Sequence, residues 1–264
     1  MPDPATTPAL RTAGLRIGYG GRRDPLVLTE SLSFALPAGS LTGVVGVNGV
    51  GKSTLLRTLA GMQPALGGEV FIRDIALSDL PPFRRAEWLS VVLTEPPASR
   101  SLTVRELVCL GRHPYTNWLG QLAADDRDAV RGALSRMELE ALAERPCHTL
   151  SDGQLQRALI ARALAQDTAL MLLDEPTTHL DLYHKVKILK GLLEIAHETG
   201  KTIVFTTHEI DLAIQLCDYL LVLHGRDASF GSPCELIEAG AFGTLFPEDT
   251  IRFDPGIGRF QVNK

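Results

Sequence analysis

A glycine-rich stretch between an apolar strand and a helix constrains this chain more than any other feature. After the predicted strand Leu41–Val45 the sequence reads Gly-Val-Asn-Gly-Val-Gly-Lys-Ser-Thr, which satisfies the pattern G-x-x-x-x-G-K-[ST]. Glycines allow a loop so tight that successive backbone N–H groups surround phosphate oxygens, and the helix N-terminus adds partial positive charge. Lys52 is expected to reach the β- and γ-phosphates of a nucleotide, and the Ser53 hydroxyl to bind Mg²⁺. The predicted phosphate-binding residues are Gly46, Val47, Asn48, Gly49, Val50, Gly51, Lys52, Ser53 and Thr54.

Two adjacent carboxylates follow a second apolar strand, predicted at residues 169–173. They are Asp174 and Glu175. A buried strand rarely ends in consecutive acids unless a cation or a reactive water is present, because an uncompensated charge there is costly. Asp174 therefore fits a Mg²⁺ contact, and Glu175 fits a general base that polarises the attacking water. The alternative is an ordinary solvated strand end.

The rest of the chain alternates short apolar runs with longer helical stretches. This pattern is typical of a three-layer α/β domain with a largely parallel sheet. Further buried strands are predicted at residues 202–206 and 219–223, with a helix between strands at about 181–198. Alternation with period two predicts an antiparallel, half-buried layer from residues 15–19, 31–36 and 68–73.

Composition narrows the class of protein. With 45% hydrophobic and 22% charged residues, the chain is neither disordered nor a multi-span membrane protein. The net charge is −5, so nucleic acid is not an expected partner. Residues 31–51 carry no charge, but their five glycines make them a poor membrane helix.

Strand signals disappear between about residue 96 and residue 166. Thr103 and Glu106 form a T-x-x-E capping box at the start of one helix. Another helix begins at Asp125 and Asp126, and its apolar face is formed by Val130, Leu134 and Met137. We therefore predict one domain over residues 10–264, with a core at 10–95 and 167–264, an inserted helical subdomain at 96–166 and a disordered tail at 1–9.

The last helix of this insertion opens with Ser151, Asp152, Gly153 and Gln154. Locally, Ser151 and Gln154 make a second capping box, S-x-x-Q. This segment resembles the signature motif of ATP-binding cassette (ABC) ATPases. The Asp-Glu-Pro-Thr run that follows later in the chain resembles the acidic strand end of the same family. The resemblance covers nearly the whole chain.

The resemblance implies a fold and further roles. The fold is a P-loop NTPase (RecA-like) core with an antiparallel β subdomain and an inserted α-helical subdomain, forming a single ABC ATPase domain. Tyr19 is expected to stack on adenine, His208 to contact the γ-phosphate, and Asp181 to lie in a loop that faces a partner subunit. Two copies are expected to associate head to tail around two ATP molecules, with ATP and Mg²⁺ as ligands. Ser151 of one copy then faces the ATP of the other.

Two positions depart from the family pattern. Asp152 stands where the signature more often has glycine, which places a negative charge near the incoming phosphate. Glu95 stands where the family usually has the lid-loop glutamine. We predict that Glu95 keeps a metal contact as a carboxylate.

The segment Gly-Arg-His-Pro-Tyr-Thr-Asn-Trp-Leu-Gly at 111–120 indicates a partner. It resembles a stretch of importer subunits that serve ferric siderophores, haem and cobalamin, and this implies a homodimer on the cytoplasmic face of a membrane permease, fed indirectly by a substrate-binding protein. Pro114 is expected to end the helix begun at Thr103, which leaves Tyr115 and Trp118 to frame a permease helix. Alternatively, these aromatics cap the core of the insertion. The rival function is a soluble ABC ATPase that acts as a scaffold or assembly factor, as in iron–sulfur cluster biogenesis.

The C-terminal part, from Glu235 onward, is too apolar for a free tail. We expect a terminal helix and strand that pack on the sheet through Phe242, Phe246, Phe253 and Phe260.

Overall fold

The computed structural model describes residues 8–20, 25–94, 101–247 and 249–262. The strands are β1 (Leu10–Tyr19), β2 (Leu26–Leu32), β3 (Ala35–Leu36), β4 (Leu41–Val45), β5 (Gly67–Ile72), β6 (Ile75–Ala76), β7 (Leu89–Val92), β8 (Leu170–Leu173), β9 (Thr202–Thr206), β10 (Tyr219–His224), β11 (Asp227–Gly231), β12 (Ile251–Asp254) and β13 (Arg259–Val262). The α-helices are α1 (Lys52–Leu59), α2 (Pro82–Trp88), α3 (Val104–Cys109), α4 (Ala124–Arg136), α5 (Asp152–Ala165), α6 (Leu182–Thr199), α7 (Ile210–Leu216) and α8 (Pro233–Glu238). Short 3₁₀ turns lie at Leu77–Asp79, Leu110–Tyr115, Glu140–Leu142 and Cys147–Thr149.

The central sheet has the strand order β11-β10-β4-β9-β8-β7 within the described ranges. All neighbouring pairs are parallel except β10 and β11. Alternate residues enter two different apolar cores: Met171 and Leu173 pack with the helical region and α6, while Leu170 and Leu172 pack with α1 and the antiparallel layer. Because the parallel strands end at one edge, the segments that follow β4, β8 and β9 meet there.

Strand β7 was not predicted from the sequence. It is short, it directly follows the helix α2, and the polar Ser90 interrupts its apolar run. Ser90 is nevertheless buried. A hydrogen bond that its hydroxyl accepts from Thr168 Oγ1, at 3.0 Å, compensates the cost of burying it. This compensation comes from a residue far along the chain, so local patterning does not reveal it.

The antiparallel layer is formed by β1 with β2, β3 and β5. The strand predicted at 31–36 is wrong in detail, because β2 ends at Leu32 and only β3 resumes the pairing. The break lies opposite Thr12, whose hydroxyl donates to Leu32 O at 3.0 Å and accepts from Phe34 N at 3.2 Å. The backbone bond from Thr12 N to Phe34 O, at 2.9 Å, remains, and the buried Thr12 hydroxyl supplies the other two contacts.

The helical region contains α3, α4 and α5, and both predicted capping boxes, at Thr103 and Ser151, are present. The predicted apolar face of α4 is buried, as expected. Pro114, however, does not end the α-helix. Helix α3 ends at Cys109, and Pro114 lies inside the 3₁₀ turn that follows, where its ring is compatible with the tighter winding.

The C-terminal residues are packed as predicted, but they do not extend the central sheet. Helix α8 is followed by the hairpin β12–β13, whose two strands pair with each other. Phe242 and Phe253 are buried, with ring centroids 4.9 Å apart, and Phe246 and Phe260 pack against them.

The tail predicted at residues 1–9 falls mostly outside the described residues. In the part of the chain that the structure covers, no helix is both long enough and apolar enough to span a bilayer.

Candidate functional site

The glycine-rich loop joins β4 to α1 with the geometry that the sequence predicts. Gly46 has φ +153°, and a Cβ there would lie 2.9 Å from Leu223 O, so the backbone of β10 leaves no space for a side chain. Gly51, with φ +112°, is the N-cap of α1. The loop residues Asn48, Gly49, Gly51, Lys52, Ser53 and Thr54 line an open cleft of about 660 Å³.

Lys52 lies across the loop that precedes it. Its Nζ donates to Gly46 O at 2.9 Å and to Val47 O at 3.2 Å. Burial lowers the pKa of Lys52, while the carboxylates of Glu175 and Asp174 act in the opposite direction. The cation is therefore held at the base of the cleft, where phosphate oxygens can replace carbonyl oxygens as its acceptors.

Asp174 is the buried centre of a hydroxyl cluster. It is 2% exposed, and its Oδ1 accepts from Ser53 Oγ at 2.9 Å and from Thr206 Oγ1 at 2.7 Å. Its Oδ2 accepts from Thr94 Oγ1 at 3.1 Å. The structure thus brings the predicted pair Ser53 and Asp174 together. Thr94 and Thr206 were missed, although each lies at or just beyond the carboxyl end of a strand beside β8, which is the available signal.

Glu175 turns away from its strand. Its φ is +47°, and its backbone N donates to Thr206 Oγ1 at 2.9 Å. Thr178 Oγ1 donates to Glu175 Oε2 at 2.9 Å, and His208 Nδ1 lies 3.7 Å from the same oxygen. The left-handed backbone directs the carboxylate into the cleft, which Glu175 and His208 both line.

Tyr19 borders the cleft on the side of the antiparallel layer. Its side chain is about half exposed, and its hydroxyl lies 3.0 Å from Thr54 Oγ1, within hydrogen-bond distance. This contact anchors the hydroxyl and leaves the ring surface accessible. A planar base in the cleft can therefore stack on Tyr19.

The signature residues do not line this cleft. Ser151 caps α5 by accepting from Gln154 N at 3.3 Å, and Asp152 is exposed in the first turn. A Cβ on Gly153 would lie 3.2 Å from Leu180 Cδ2, so the start of α5 adjoins the loop before α6. Asp181 caps α6 by accepting from His184 N at 3.0 Å. Both segments present helix N-termini at the surface.

Oxygen donors at Ser53 and Asp174 suit Mg²⁺, which prefers hard oxygen ligands and retains waters or phosphate oxygens. Within the described ranges, no cluster of three or more His, Cys, Asp or Glu side chains could hold a metal alone. A magnesium ion here would accordingly complete its coordination with nucleotide oxygens. Glu95, predicted as a further ligand, lies outside the described residues.

Comparison with known proteins agrees with this geometry. Residues 29–178 match the family model described as ABC transporter. YusV of Bacillus subtilis (strain 168), named as a probable siderophore transport system ATP-binding protein, is 40% identical over 90% of this chain and 86% of its own length. The Iron(3+)-hydroxamate import ATP-binding protein FhuC of the same organism is 39% identical over 94% of this chain and 91% of its own.

Solved structures of ABC transporters and their cassettes also align with this chain. A transporter assigned to the metal-chelate type, in an inward-facing conformation, aligns with a TM-score of 0.78 at 29% identity over 90% of this chain and 89% of its own. The dimeric bacterial ABC transporter cassette MJ0796 aligns with a TM-score of 0.71 at 28% identity over 81% of this chain and 94% of its own. With a family match over more than half of its length and relatives near 40% identity, the chain belongs to the ABC transporter family, as an ATP-hydrolysing cassette.

Proposed function

We propose that this chain powers an importer of iron–siderophore complexes or related metal chelates by binding and hydrolysing ATP with Mg²⁺. The observation that carries the proposal is the convergence of Lys52, Asp174, Glu175 and His208 at one edge of the central sheet. The names of the relatives support the transported class, since they refer to siderophore transport and iron–hydroxamate import.

Each group has a distinct task in hydrolysis. Tyr19 stacks on the base, and Lys52 with the loop amides binds the phosphates. Glu175 accepts the proton of the attacking water, because one of its oxygens is oriented by Thr178 while the carboxylate faces the cleft. His208, beside Glu175, contacts the terminal phosphate.

Ser53 and Asp174 would hold Mg²⁺, with Thr94 and Thr206 fixing the orientation of the carboxylate. Bound there, the ion supplies charge neutralisation of the β- and γ-phosphates. Asp174 is suited to this role because hydroxyl donors already compensate its burial.

Head-to-tail association of two copies explains why the signature lies outside the cleft. The N-terminus of α5, with Ser151, is free to meet the γ-phosphate bound by the partner copy, since an anion is favoured at a helix N-terminus. The loop before α6, with Asp181, adjoins that helix and would lie at the same interface. Removal of the γ-phosphate weakens the contact and opens the dimer.

A membrane permease is the proposed partner of the helical region. Trp118 is 91% exposed, and the other exposed apolar side chains near it in sequence are Leu110, Tyr115 and Leu119. Tyr115 partly fits the alternative, because the centre of its ring lies 4.1 Å from the guanidinium of buried Arg112. Trp118 does not cap the helical core, and its exposure supports a docking role. The homodimer would then lie on the cytoplasmic face of the membrane, and a substrate-binding protein would deliver the chelate to the permease.

The 3₁₀ turn that precedes Trp118 packs against helix α5 and is ion-paired within the helical region. A Cβ on Gly111 would lie 2.1 Å from Arg162 O, so only glycine lets the 3₁₀ turn lie on α5. Arg112 is buried and ion-paired to Asp126 at 2.8 Å. The turn that leads to Trp118 is therefore anchored to the helical region, and such anchoring lowers the entropic cost of docking.

The first experiment measures ATP hydrolysis and assembly of the purified chain. Glu175→Gln should lower kcat by at least about 100-fold, the usual contribution of a general base, and should accumulate an ATP-bound dimer on gel filtration. Glu194→Gln, an exposed carboxylate on α6, is the matched control and should behave as the parent. A Glu175→Gln variant that binds ATP but stays monomeric contradicts head-to-tail association.

The second experiment tests the partner. When the chain is purified from membranes of its native host, a polytopic membrane protein should co-purify with it. That protein should not co-purify with the Trp118→Ala variant. Ile257→Ala removes another exposed apolar side chain, from the turn of the C-terminal hairpin, and should retain the membrane protein. Purification without any membrane protein would favour the soluble assembly role instead.

A further inference from the structure

The ring of His208 lies between two carboxylates, and the mechanism so far uses only one of them. Its Nδ1 is 3.7 Å from Glu175 Oε2, and its Nε2 is 3.3 Å from Glu209 Oε1. Contacts on opposite nitrogens restrict the rotation of an imidazole about its side-chain bonds. Glu209 is thus placed to determine where the ring points.

Glu209 is itself fixed at both ends. Its backbone N donates to Thr207 Oγ1 at 3.0 Å, and its Oε1 accepts from Lys185 Nζ. The side chains of Glu209 and Lys185 are only 29% and 17% exposed, so solvent screens this ion pair less than a surface pair. The positive charge of Lys185 also offsets the second negative charge beside His208.

Lys185 connects this group to the loop that faces the partner copy. It lies in the first turn of α6, and its backbone N donates to the carbonyl of Asp181 at 3.0 Å. A continuous set of contacts therefore runs from Asp181 through Lys185 and Glu209 to His208. A displacement of the start of α6 would reach the ring through one ion pair.

We propose that the Lys185–Glu209 ion pair is a positioning element for hydrolysis. It holds His208 beside Glu175 and ties the position of the ring to the start of α6. His208 lines the cleft, whereas Lys185 and Glu209 are not among its lining residues, so the pair acts through His208. This inference rests on the proposed function, because it assigns a purpose to the pair only in a chain that hydrolyses ATP.

The molecule offers a matched control on the same helix. Lys187 forms an ion pair with Glu138 at 2.5 Å, two residues further along α6 but directed toward the helical region. Lys185→Met and Lys187→Met therefore remove the same charge and the same ion-pair type from one helix. Only the first change affects a group in contact with His208.

The test is single-turnover and steady-state hydrolysis of Mg²⁺–ATP by the full chain. Lys185→Met should lower kcat about tenfold, less than the roughly 100-fold that a 1 Å misplacement can cost, while KM for ATP changes less than about twofold. Lys185→Arg, which preserves the charge, and Lys187→Met should each retain at least about half of the parental kcat.

A cycle with His208→Ala separates positioning from a structural link between α6 and α7. If the pair acts through the ring, Lys185→Met should lower the His208→Ala rate by less than about twofold, since residues that act as a unit are not additive. A full further tenfold loss overturns the proposal. So does an equal loss of kcat in Lys185→Met and Lys187→Met.

The same data separate this inference from the proposed function. A parent chain that hydrolyses ATP, loses activity with Glu175→Gln and keeps full activity with Lys185→Met overturns the positioning role alone. If the parent chain does not hydrolyse ATP, both the proposed function and the positioning role are wrong.

Discussion

Replacing Arg112 by Met should destabilise the chain far more than replacing any arginine at its surface. Arg112 is 8% exposed, and its Nε and Nη2 both bind Asp126 Oδ1, at 2.9 and 2.8 Å. Its Nη1 donates to Ala165 O at 2.9 Å, and its guanidinium lies 4.1 Å from the centre of the Tyr115 ring. Methionine preserves much of the apolar volume but removes every one of these polar contacts.

The loss of unfolding free energy follows from the buried carboxylate that Arg112→Met leaves unpaired. Asp126 is 4% exposed, and without Arg112 its Oδ1 loses both donors, while Oδ2 keeps the bond from Ala123 N at 2.8 Å. Removing one partner of a buried ion pair costs about 3–5 kcal/mol of unfolding free energy. At roughly 2–4 °C per kcal/mol for a domain of this size, Tm should fall by about 6 to 20 °C.

The assay is thermal unfolding followed by circular dichroism, with two controls. Arg105→Met breaks an exposed pair with Glu144 and should cost less than about 1 kcal/mol. In the double variant Arg112→Met with Asp126→Asn, neither side chain of this pair leaves an unpaired buried charge, so most of the lost stability should return. Equal Tm values for Arg112→Met and Arg105→Met, or no recovery in the double variant, would refute the argument from buried charge.

Three further outcomes are expected. Lys52→Ala should weaken ATP binding about 10- to 100-fold, measured by calorimetry, because a charge-assisted hydrogen bond contributes ~1.5–3 kcal/mol; unchanged affinity would contradict its phosphate role. Ser151→Ala should slow hydrolysis while leaving ATP affinity of the monomer within about twofold, since in the proposed head-to-tail dimer its hydroxyl faces the ATP of the opposite copy; a parallel loss of monomer affinity would place Ser151 at its own site. The backbone N–H of Ala123 and, less strongly, Arg112 lower the pKa of Asp126 below 3.8, so this carboxylate stabilises the fold above that pH. Stability from Asp126 should be lost as pH falls through the lowered value, and the Tm difference between parent and Asp126→Asn should shrink in acid; a difference that grows in acid would reverse the sign.

Sequence alone predicted the parts of the site that depend on neighbouring residues. The loop from Gly46 to Thr54 and the pair Asp174–Glu175 each combine a strand, a turn and the reacting groups within a few residues. Their local chemistry is sufficient because backbone connectivity fixes the geometry. The capping boxes at Thr103 and Ser151 were predictable for the same reason.

Contacts between distant residues were not predictable in this way. Thr94 and Thr206 orient Asp174 from two different strands, 80 and 32 positions away in sequence. The break between β2 and β3 arises from a hydroxyl of β1. Lys185 and Glu209 are unremarkable charges in the sequence, and only the packing of α6 beside α7 brings them together.

Strand β7, which was not predicted from the sequence, also lies between the helical region and the buried carboxylate of Asp174. Near the end of α5, Arg162 donates to Val91 O at 3.1 Å, and Gln166, its C-cap, donates to Leu89 O at 3.0 Å. Two residues after β7, Thr94 binds Asp174. One end of α5 begins with the signature residues at the surface. The region around its other end is hydrogen-bonded to β7. A continuous path of hydrogen bonds and backbone therefore runs from α5 through β7 and Thr94 to Asp174, and it joins residues that are distant in sequence.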